Sequence, residues 1–334
     1  MRVVVTGATG NIGTSVVEAL AAEPTIDHIV AVARRVPEWK PPKTTFAAVD
    51  IRSDDFVAAL SGADVVVHLA WAFQPTHDPT ATWEVNVLGG IAVFDAVRRA
   101  GVRSLVYSSS VGAYSPGAGT QVDEDWPTHS LPVAAYGREK SYLERCLDAF
   151  ELANPQISVT RLRPAFAFQW ESASEQRRIF AGPFVPRPLL QHGRLPVLPV
   201  PAGLAFQAVH TDDLAQAFRL VVVAGAHGAF NVAADPVIDA RVLGEVVGAR
   251  PVTVPPTVAQ VAVGAAWRLR AVPADEGLLR LLLSLPTLDT QRIRKLGWQP
   301  RHSGTEALRV MLDGVAEGSG GSTPPLHPDD AGVS

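Results

Sequence analysis

The chain has 334 residues, of which 47% are hydrophobic and 19% charged, and its formal net charge is −4. This balance is typical of a globular protein with a substantial core and gives no reason to expect nucleic acid as a partner. The single cysteine, Cys146, excludes an intrachain disulfide and a cysteine metal cluster, and we predict no metal site. With no visible signal peptide or membrane-spanning stretch, we expect a cytoplasmic protein with no membrane partner.

The first half of the chain alternates strand-like and helix-like segments. Strands are predicted at 3–5, 29–33, 46–49, 65–69, 104–108 and 158–162, and helices at 12–22, 54–60, 83–100 and 136–150. Apolar strands separated by helices indicate a parallel sheet covered on both faces. The predicted fold class is α/β, a doubly wound parallel-sheet Rossmann fold with a smaller, mostly helical C-terminal substrate-binding portion.

The pattern changes after Pro164. Residues 1–165 are predicted to form the Rossmann domain, to which a segment of about 205–233 returns. In that segment a helix is expected to begin at Thr211, which can cap it. Residues 166–204 and 234–316 form the substrate-binding portion, and 317–334 a disordered tail rich in Gly, Ser, Pro and Asp. Six prolines predict loops over a site: Pro183, Pro186, Pro188, Pro196, Pro199 and Pro201.

A glycine motif, Gly7-x-x-Gly10-x-x-Gly13, follows the first strand and opens the first helix. Glycines at these positions permit a tight turn and a close approach of backbone N–H groups to a pyrophosphate, whose charge the helix N-terminus favours. The sequence therefore predicts a dinucleotide site formed by Gly7, Thr9, Gly10, Asn11, Ile12 and Gly13.

The end of the second strand bears on the choice of cofactor. NAD-type sites usually carry an acidic residue there, whereas this strand ends in Ala33-Arg34-Arg35. Two guanidinium groups can meet a 2′-phosphate. We therefore predict NADP, with NAD as the alternative, and note that Arg34 and Arg35 could also be solvated loop charges.

Hydroxyl and amine groups suited to acid–base chemistry lie in the middle of the chain. Tyr136 and Lys140 are four residues apart and share one face of the predicted helix. An ammonium beside a phenol favours the phenolate and can lower its pKa from about 10 toward neutrality. Ser108, Ser109 and Ser110 stand at the carboxyl end of a strand, where open α/β sheets bind ligands.

With Ser110, Tyr136 and Lys140 added to the glycine motif, the chain resembles the short-chain dehydrogenase/reductase superfamily. More narrowly, it resembles the extended branch, the NAD-dependent epimerase/dehydratase family. Further matches extend to about residue 316: Asp50-Ile51, His68-Leu69-Ala70, Asn86-Val87-x-Gly89, Arg163-Pro164, Val209-His210-Thr211-Asp212-Asp213 and Leu296-Gly297-Trp298-x-Pro300.

The resemblance implies roles for matching residues. Tyr136 would be the general acid/base, Lys140 would lower its pKa and bind the nicotinamide ribose, and Ser110 would polarise the reacting oxygen. Asp50 could instead cap a turn, and Asn86 could satisfy backbone groups. The cofactor would contact residues from several loops: Asp50, Ile51, Leu69, Ala70, Trp71, Asn86, Ser108, Tyr136, Lys140, Pro164 and Ala165.

The sequence departs from the family pattern where substrate is expected. Phe206 occupies the position of an arginine that binds substrate phosphate in sugar-nucleotide members, and Trp71 is bulky where many members have a small residue. Further aromatic residues make the substrate region apolar: Phe166, Phe168, Trp170, Phe180 and Phe184.

From these residues we expect an NAD(P)-dependent oxidoreductase that transfers hydride between nicotinamide and a carbonyl or alcohol of a small or hydrophobic substrate. The alternatives are a sugar-nucleotide epimerase or dehydratase, and a non-catalytic dinucleotide-sensing protein. By resemblance, helices 83–100 and 136–150 would pair in a homodimer.

Overall fold

A computed structural model describes residues 1–53, 55–74, 76–181 and 191–328. Strands within these residues are β1 Arg2–Thr6, β2 His28–Ala33, β3 Thr44–Ala48, β4 Val65–His68, β5 Ser104–Ser108, β6 Gln121–Val122, β7 Ser158–Pro164, β8 Phe166–Phe168, β9 Val197–Pro201, β10 Ala205–His210, β11 Gly228–Val232, β12 Ala234–Asp239, β13 Arg250–Val254 and β14 Thr287–Leu288. Seven of them form one parallel sheet in the order β11-β7-β5-β4-β1-β2-β3, which confirms the predicted Rossmann-like α/β fold.

Helices cover both faces of this sheet. The α-helices of the described residues are α1 Asn11–Ala21, α2 Asp55–Ala59, α3 Pro79–Trp83, α4 Gly89–Arg99, α5 Ala135–Ala153, α6 Ala173–Gln176, α7 Thr211–Ala224, α8 Ala240–Val247, α9 Pro256–Arg268, α10 Glu276–Leu282, α11 Gln291–Lys295 and α12 Gly304–Glu317. One core packs α1 and α7 on the sheet, and a second packs α2, α4 and α5 on the opposite face. Among the described helices, none has the length and apolar character needed to cross a membrane.

The helix predicted at 83–100 begins earlier and changes its winding. Asp78 caps α3 by accepting a hydrogen bond from the Ala81 N–H at 3.1 Å. A π-helical turn, Glu84–Leu88, then joins α3 to α4. The helical run ends before Gly101, whose φ of 69° a side chain would disfavour. The π turn lies next to the site, because Asn86 belongs to it.

The C-terminal portion mixes helices with three small sheets, β12-β10-β8, β13-β9 and β14-β6, so it is less purely helical than predicted. Pro199 and Pro201 lie in β9 and not in a loop. Alternate residues of a strand direct their N–H groups to the same edge, and β9 has one neighbour, so both prolines can face away from β13 without a lost hydrogen bond. Pro183, Pro186 and Pro188 lie outside the described residues.

The returning segment is anchored by the Leu296–Pro300 motif. Helix α7 is capped by His210, whose Nδ1 accepts from the Asp212 N–H at 3.2 Å, and not by the predicted Thr211, whose buried hydroxyl accepts from Ser15. The indole N–H of Trp298 donates to the Asp213 carbonyl oxygen at 2.8 Å. This motif therefore has a structural role.

The predicted disordered tail is wrong for residues 317–328. Helix α12 continues to Glu317 and ends at Gly318, which adopts φ 73°. The chain then turns back, and Thr323 and Leu326 are each 1% exposed. Burial of these two side chains and backbone hydrogen bonds hold a segment whose composition suggested disorder.

Candidate active site

The glycine turn between β1 and α1 forms one wall of a crevice at the carboxyl end of the sheet. Gly7 has φ 69°, and a Cβ there would lie 2.6 Å from the Ala70 nitrogen, so only glycine fits. Gly10 is the N-cap of α1 and makes no side-chain cap. A Cβ on Gly10 would meet only the Gly7 oxygen, at 3.5 Å, so the backbone there is open to a ligand. Since the first N–H groups of a helix have no intrahelical acceptor, this turn fits a dinucleotide pyrophosphate.

The predicted turn residues divide between backbone and side-chain functions. The Asn11 side chain donates to the Ala167 carbonyl oxygen at 2.9 Å, and Gln169 donates to the Asn11 carbonyl oxygen at 2.6 Å. Ile12 packs against the core. Asn11 and Ile12 can therefore reach a cofactor through their backbone. Gln169 was missed, because no local pattern indicates that it returns to a turn 158 residues away.

The residues predicted to bind the adenosine end of the cofactor lie past β2 and β3. Arg34 and Arg35 are exposed. Asp50 accepts two hydrogen bonds from the Arg52 guanidinium, at 3.1 and 2.8 Å, and one from the Arg52 backbone N–H at 2.9 Å. These bonds from Arg52 lower the pKa of Asp50. The turn-capping alternative therefore describes the Asp50 side chain. Ile51 packs against α4, because a Cβ on Gly89 would lie 3.2 Å from its Cδ1.

The segment after β4 is fixed by Asn86. The Leu69 N–H donates to the Thr6 carbonyl oxygen at 3.2 Å. The Asn86 amide accepts from the Ala72 N–H at 2.7 Å, donates to the Ala72 carbonyl oxygen at 2.9 Å, and donates to Glu139 at 2.7 Å. Asn86 therefore binds protein groups and positions the loop that carries Ala70 and Trp71. This agrees with the alternative prediction that Asn86 satisfies backbone groups.

Ser110 and Tyr136 meet at the floor of the crevice. The Ser110 hydroxyl accepts from the Gly112 N–H at 2.9 Å, and both Ser110 and the Tyr136 ring lie against Gly112. Gly112 allows this approach, because a Cβ there would lie 2.8 Å from the Tyr136 ring. Burial raises the pKa of Tyr136 to about 12, although the nearby Ser110 hydroxyl acts in the opposite direction. Tyr136 is thus a protonated phenol at neutral pH.

Lys140 does not act on Tyr136 as the spacing predicted. Its ammonium donates to the Ser108 carbonyl oxygen at 2.8 Å and lies 3.6 Å from the centroid of the Trp71 indole, but 6.0 Å from that of the Tyr136 ring. Burial lowers the pKa of Lys140 to about 7, against the charges of Glu144 and Glu139. A desolvated, partly discharged amine cannot strongly favour a neighbouring phenolate, so the predicted lowering of the Tyr136 pKa is absent from this arrangement.

A buried ion pair supports the serine strand from below. The Arg163 guanidinium binds both Glu144 oxygens, at 2.9 and 3.0 Å, and Ser109 donates to Glu144 at 2.5 Å. Burial alone would raise the pKa of Glu144, but Arg163, Arg161 and Ser109 lower it. Glu144 is not among the predicted site residues, although a carboxylate four residues after Lys140 on the same helix was a usable signal. Ser109 is structural, and Ser108 contributes to the site through its carbonyl oxygen, which accepts the hydrogen bond from Lys140.

Aromatic side chains line the side of the crevice beside Tyr136. Phe73 stacks on the Tyr136 ring at 4.9 Å between centroids, and Phe180 contacts both Phe73 and Phe166. Phe166 in turn meets Phe206 edge-on at 5.3 Å. A cavity of about 40 Å³ adjoins Tyr136 and is lined mainly by apolar residues, among them Trp71, Phe73, Ala134 and Leu278.

The other predicted residues have separate places. Phe168 is buried in the core of the C-terminal portion, where its ring stacks on Phe166 from behind the aromatic surface, and Trp170 packs against Gly314 of α12. Phe184 lies outside the described residues. Pro164 ends β7, and the Ala165 N–H donates to the Val232 carbonyl oxygen at 2.9 Å.

A parallel sheet with a glycine turn after its first strand, and a Ser–Tyr–Lys group beside it, defines a Rossmann-type protein of the short-chain dehydrogenase/reductase class. The model of the NAD dependent epimerase/dehydratase family matches residues 3–233. The chain belongs to this family.

Relatives within and around the family differ in their reactions. The uncharacterized protein Rv0501 of Mycobacterium tuberculosis is 29% identical over 346 residues, covering 98% of this chain and 86% of the relative. A UDP-glucose 4-epimerase of Yersinia pestis is 30% identical over 177 residues, 49% of this chain and 52% of the epimerase. The sterol-4-alpha-carboxylate 3-dehydrogenase of Saccharomyces cerevisiae is 31% identical over 180 residues, 50% of this chain and 51% of the dehydrogenase.

Solved structures share the fold. MoeE5, in a complex with UDP-glucuronic acid and NAD, superimposes with a TM-score of 0.70 at 23% identity, covering 95% of this chain and 99% of MoeE5. At this identity the match concerns the fold alone.

Proposed function

We propose that this protein is an NAD(P)-dependent enzyme, in which hydride would pass between the nicotinamide and a carbon of the substrate that alternates between carbinol and carbonyl. The observation that carries the proposal is the juxtaposition of Ser110 and Tyr136 on either side of Gly112, where a Cβ would lie 2.8 Å from the Tyr136 ring and 3.4 Å from the Ser110 hydroxyl. When bound, the dinucleotide supplies a nicotinamide that exchanges hydride.

The side chains have distinct tasks in this proposal. The Tyr136 phenol, protonated because burial raises its pKa to about 12, can donate its proton to a developing alkoxide. Ser110 holds the same oxygen by a second hydrogen bond. Lys140 keeps the end of β5 in place through the Ser108 carbonyl oxygen and can place positive charge near the crevice. A non-catalytic sensor would need none of these groups together.

The relatives favour a reaction without net oxidation over the net oxidoreduction expected first. The family is named for epimerases and dehydratases, and the Yersinia relative is a UDP-glucose 4-epimerase. We therefore propose first the conversion of a nucleotide sugar, in which the substrate is oxidised and reduced again within one turnover.

A second candidate, net oxidation or reduction of a hydrophobic alcohol or ketone, rests on the aromatic surface. Phe206 lies against Phe166 at the position where sugar-nucleotide members carry a phosphate-binding arginine. An apolar wall disfavours a diphosphate and favours an apolar substrate. The partial likeness to a sterol dehydrogenase agrees with this candidate.

Substrate turnover with a redox readout separates the two candidates. The purified protein would be incubated with UDP-glucose or dTDP-glucose in the presence of NAD or NADP, and with a panel of steroid and aromatic ketones in the presence of NADH or NADPH. Sugar conversion with no net change in nicotinamide absorbance supports the first candidate, and stoichiometric cofactor consumption with the apolar panel supports the second. If the Tyr136→Phe variant matched the wild type in either assay, the shared proposal would fail.

A further inference from the structure

The segment that follows α12 reaches the glycine turn from the far end of the chain. Thr323 is 1% exposed, and its hydroxyl donates to the Thr9 carbonyl oxygen at 2.7 Å. The two residues are separated by 314 positions in the sequence. We name Ser319–Pro328 the C-terminal strap.

The contact clamps one peptide group of the turn at both ends. The Thr9 carbonyl and the Gly10 N–H belong to the same planar peptide unit and point in opposite directions. The Gly10 N–H donates to the Gly7 carbonyl oxygen at 3.1 Å, while Thr323 holds the Thr9 oxygen. Without Thr323 this peptide is fixed at one end only. Gly10 has no Cβ, so its backbone dihedral angles are less restricted than those of any other residue. The hydrogen bond from Thr323 therefore limits rotation of the Thr9–Gly10 peptide.

The strap is itself fixed. The Gly321 N–H donates to the Leu326 carbonyl oxygen at 2.7 Å, and the Leu326 N–H to the Thr323 carbonyl oxygen at 2.9 Å, which closes a compact turn around Thr323. Arg178 donates to the Pro325 and His327 carbonyl oxygens at 2.9 and 3.1 Å. Thr323 is therefore presented to Thr9 by a structured turn.

We propose that the C-terminal strap sets the affinity for the dinucleotide, with Thr323 as a positioning residue for the phosphate-binding turn. A turn already held in its binding conformation loses less conformational entropy when the pyrophosphate binds. The Thr323 side chain acts through the Thr9–Gly10 peptide and touches no reacting atom. The inference depends on dinucleotide binding at this turn and is independent of the substrate.

Two substitutions at one position test the hydrogen bond. Thr323→Val keeps the shape and removes the donor, whereas Thr323→Ser keeps the donor. Calorimetric titration of the whole chain with NAD and, separately, with NADP is expected to show binding about two- to tenfold weaker for Thr323→Val, the effect of one hydrogen bond. Thr323→Ser is expected to bind within about twofold of the wild type, because a hydroxyl alone supplies the contact.

Circular dichroism spectra and thermal melts show whether each variant is folded at the titration temperature. A chain ending at Pro328 retains the strap and should bind as the full chain does, whereas a chain ending at Gly318 should bind at least as weakly as Thr323→Val. Equal affinities of Thr323→Val and the wild type would overturn the proposal. So would equal losses in Thr323→Val and Thr323→Ser, because the loss would then not follow the hydrogen bond. If the wild type bound neither dinucleotide, the proposal would fail together with the cofactor assignment. A failure seen only in the Thr323 variants would leave the assigned reaction untouched.

Discussion

The ammonium of Lys140 lies 3.6 Å from the centroid of the Trp71 indole, closer than to any other aromatic ring that it faces among the described residues. Trp71 also meets Tyr136 edge-on at 5.6 Å, so one indole contacts both members of the predicted acid–base pair. This indole has two opposing effects on Lys140. Its π face attracts the cation, while its bulk excludes the water that would stabilise the charge.

Trp71→Ala should raise the pKa of Lys140, because burial is the main reason that this pKa falls to about 7. As pH rises through the pKa, the amine loses its charge. If turnover needs the ammonium, wild-type activity declines above about pH 7, and the variant should decline about one pH unit higher. Rate profiles against pH measure the shift. Trp83→Ala is the matched control, since Trp83 packs against Tyr142. An unchanged profile in Trp71→Ala would contradict this account.

Tyr136→Phe should lower turnover by about 10²–10⁴-fold, the usual range for loss of a general acid or base. The ring that stacks on Phe73 remains, so dinucleotide affinity should stay within about twofold of the wild type, which corresponds to less than about 0.5 kcal/mol. Steady-state kinetics and calorimetry provide the two measurements. Tyr142→Phe, on the same helix but 46% exposed, is expected to retain full activity. Normal turnover by the Tyr136→Phe variant would show that Tyr136 is not the general acid or base.

The sequence located the site better than it described the electrostatics. The glycine motif and the strand ends could be predicted because they depend on local spacing and on the common edge of a parallel sheet. The pKa of Tyr136 could not, because a four-residue spacing gives proximity along a helix and says nothing of burial or of where an ammonium points. The structure directs Lys140 to Ser108 and Trp71 instead.

Contacts between distant segments were also beyond the sequence. The contacts of Gln169 and Thr323 with the glycine turn join positions 158 and 314 residues apart. The composition of the tail predicts disorder because the segment contains few apolar side chains. Composition does not show that two buried residues and a few backbone hydrogen bonds suffice to order the segment when the rest of the fold offers a surface for it to pack on.

Glu144→Gln should destabilise the fold by about 3–5 kcal/mol, because it leaves the buried Arg163 charge without its carboxylate. Urea denaturation measures the loss. Asp148→Asn, which removes a half-exposed partner of Arg145 and Arg161, should cost less than about 1 kcal/mol. A loss from Glu144→Gln no larger than that of Asp148→Asn would contradict the proposed importance of the buried pair.

The same pair predicts a pH dependence of stability. Because the folded-state pKa of Glu144 lies below the ordinary glutamate value of 4.5, the stabilisation by Glu144 is complete above that pH and is lost as pH falls through the folded-state pKa. The difference in unfolding free energy between the wild type and Glu144→Gln should therefore narrow below about pH 4.5. If the difference in unfolding free energy stayed constant below about pH 4.5, the loss of stability in Glu144→Gln would come from packing and not from the ion pair.

Ile91→Glu should shift the protein toward a monomer if α4 and α5 form the proposed homodimer contact. Leu88 and Ile91 are 51% and 37% exposed one helical turn apart, and Tyr142 on α5 is 46% exposed. Apolar residues exposed on neighbouring helices suit a second copy of the same surface. Light scattering of the wild type and the variant tests the state. Val223→Glu, at 39% exposure on α7 across the sheet, is the control and should leave the assembly unchanged. A monomeric wild type would end the proposal.

Arg34→Ala combined with Arg35→Ala should weaken NADP binding more than NAD binding. Both guanidiniums are exposed at the end of β2, and Asp50, the nearby carboxylate, is held by Arg52. Loss of two charged contacts to a 2′-phosphate should cost about tenfold or more in affinity, whereas a ribose hydroxyl offers no charge to lose. Calorimetric titration of the wild type and the double variant with each dinucleotide provides the comparison. Arg103→Ala is the control for a change of charge, because Arg103 precedes β5 and lies at the amino end of the strands, away from the crevice. NAD binding to the wild type as tightly as NADP, or an equal loss for both, would assign these arginines to the solvated surface and leave NAD as the cofactor.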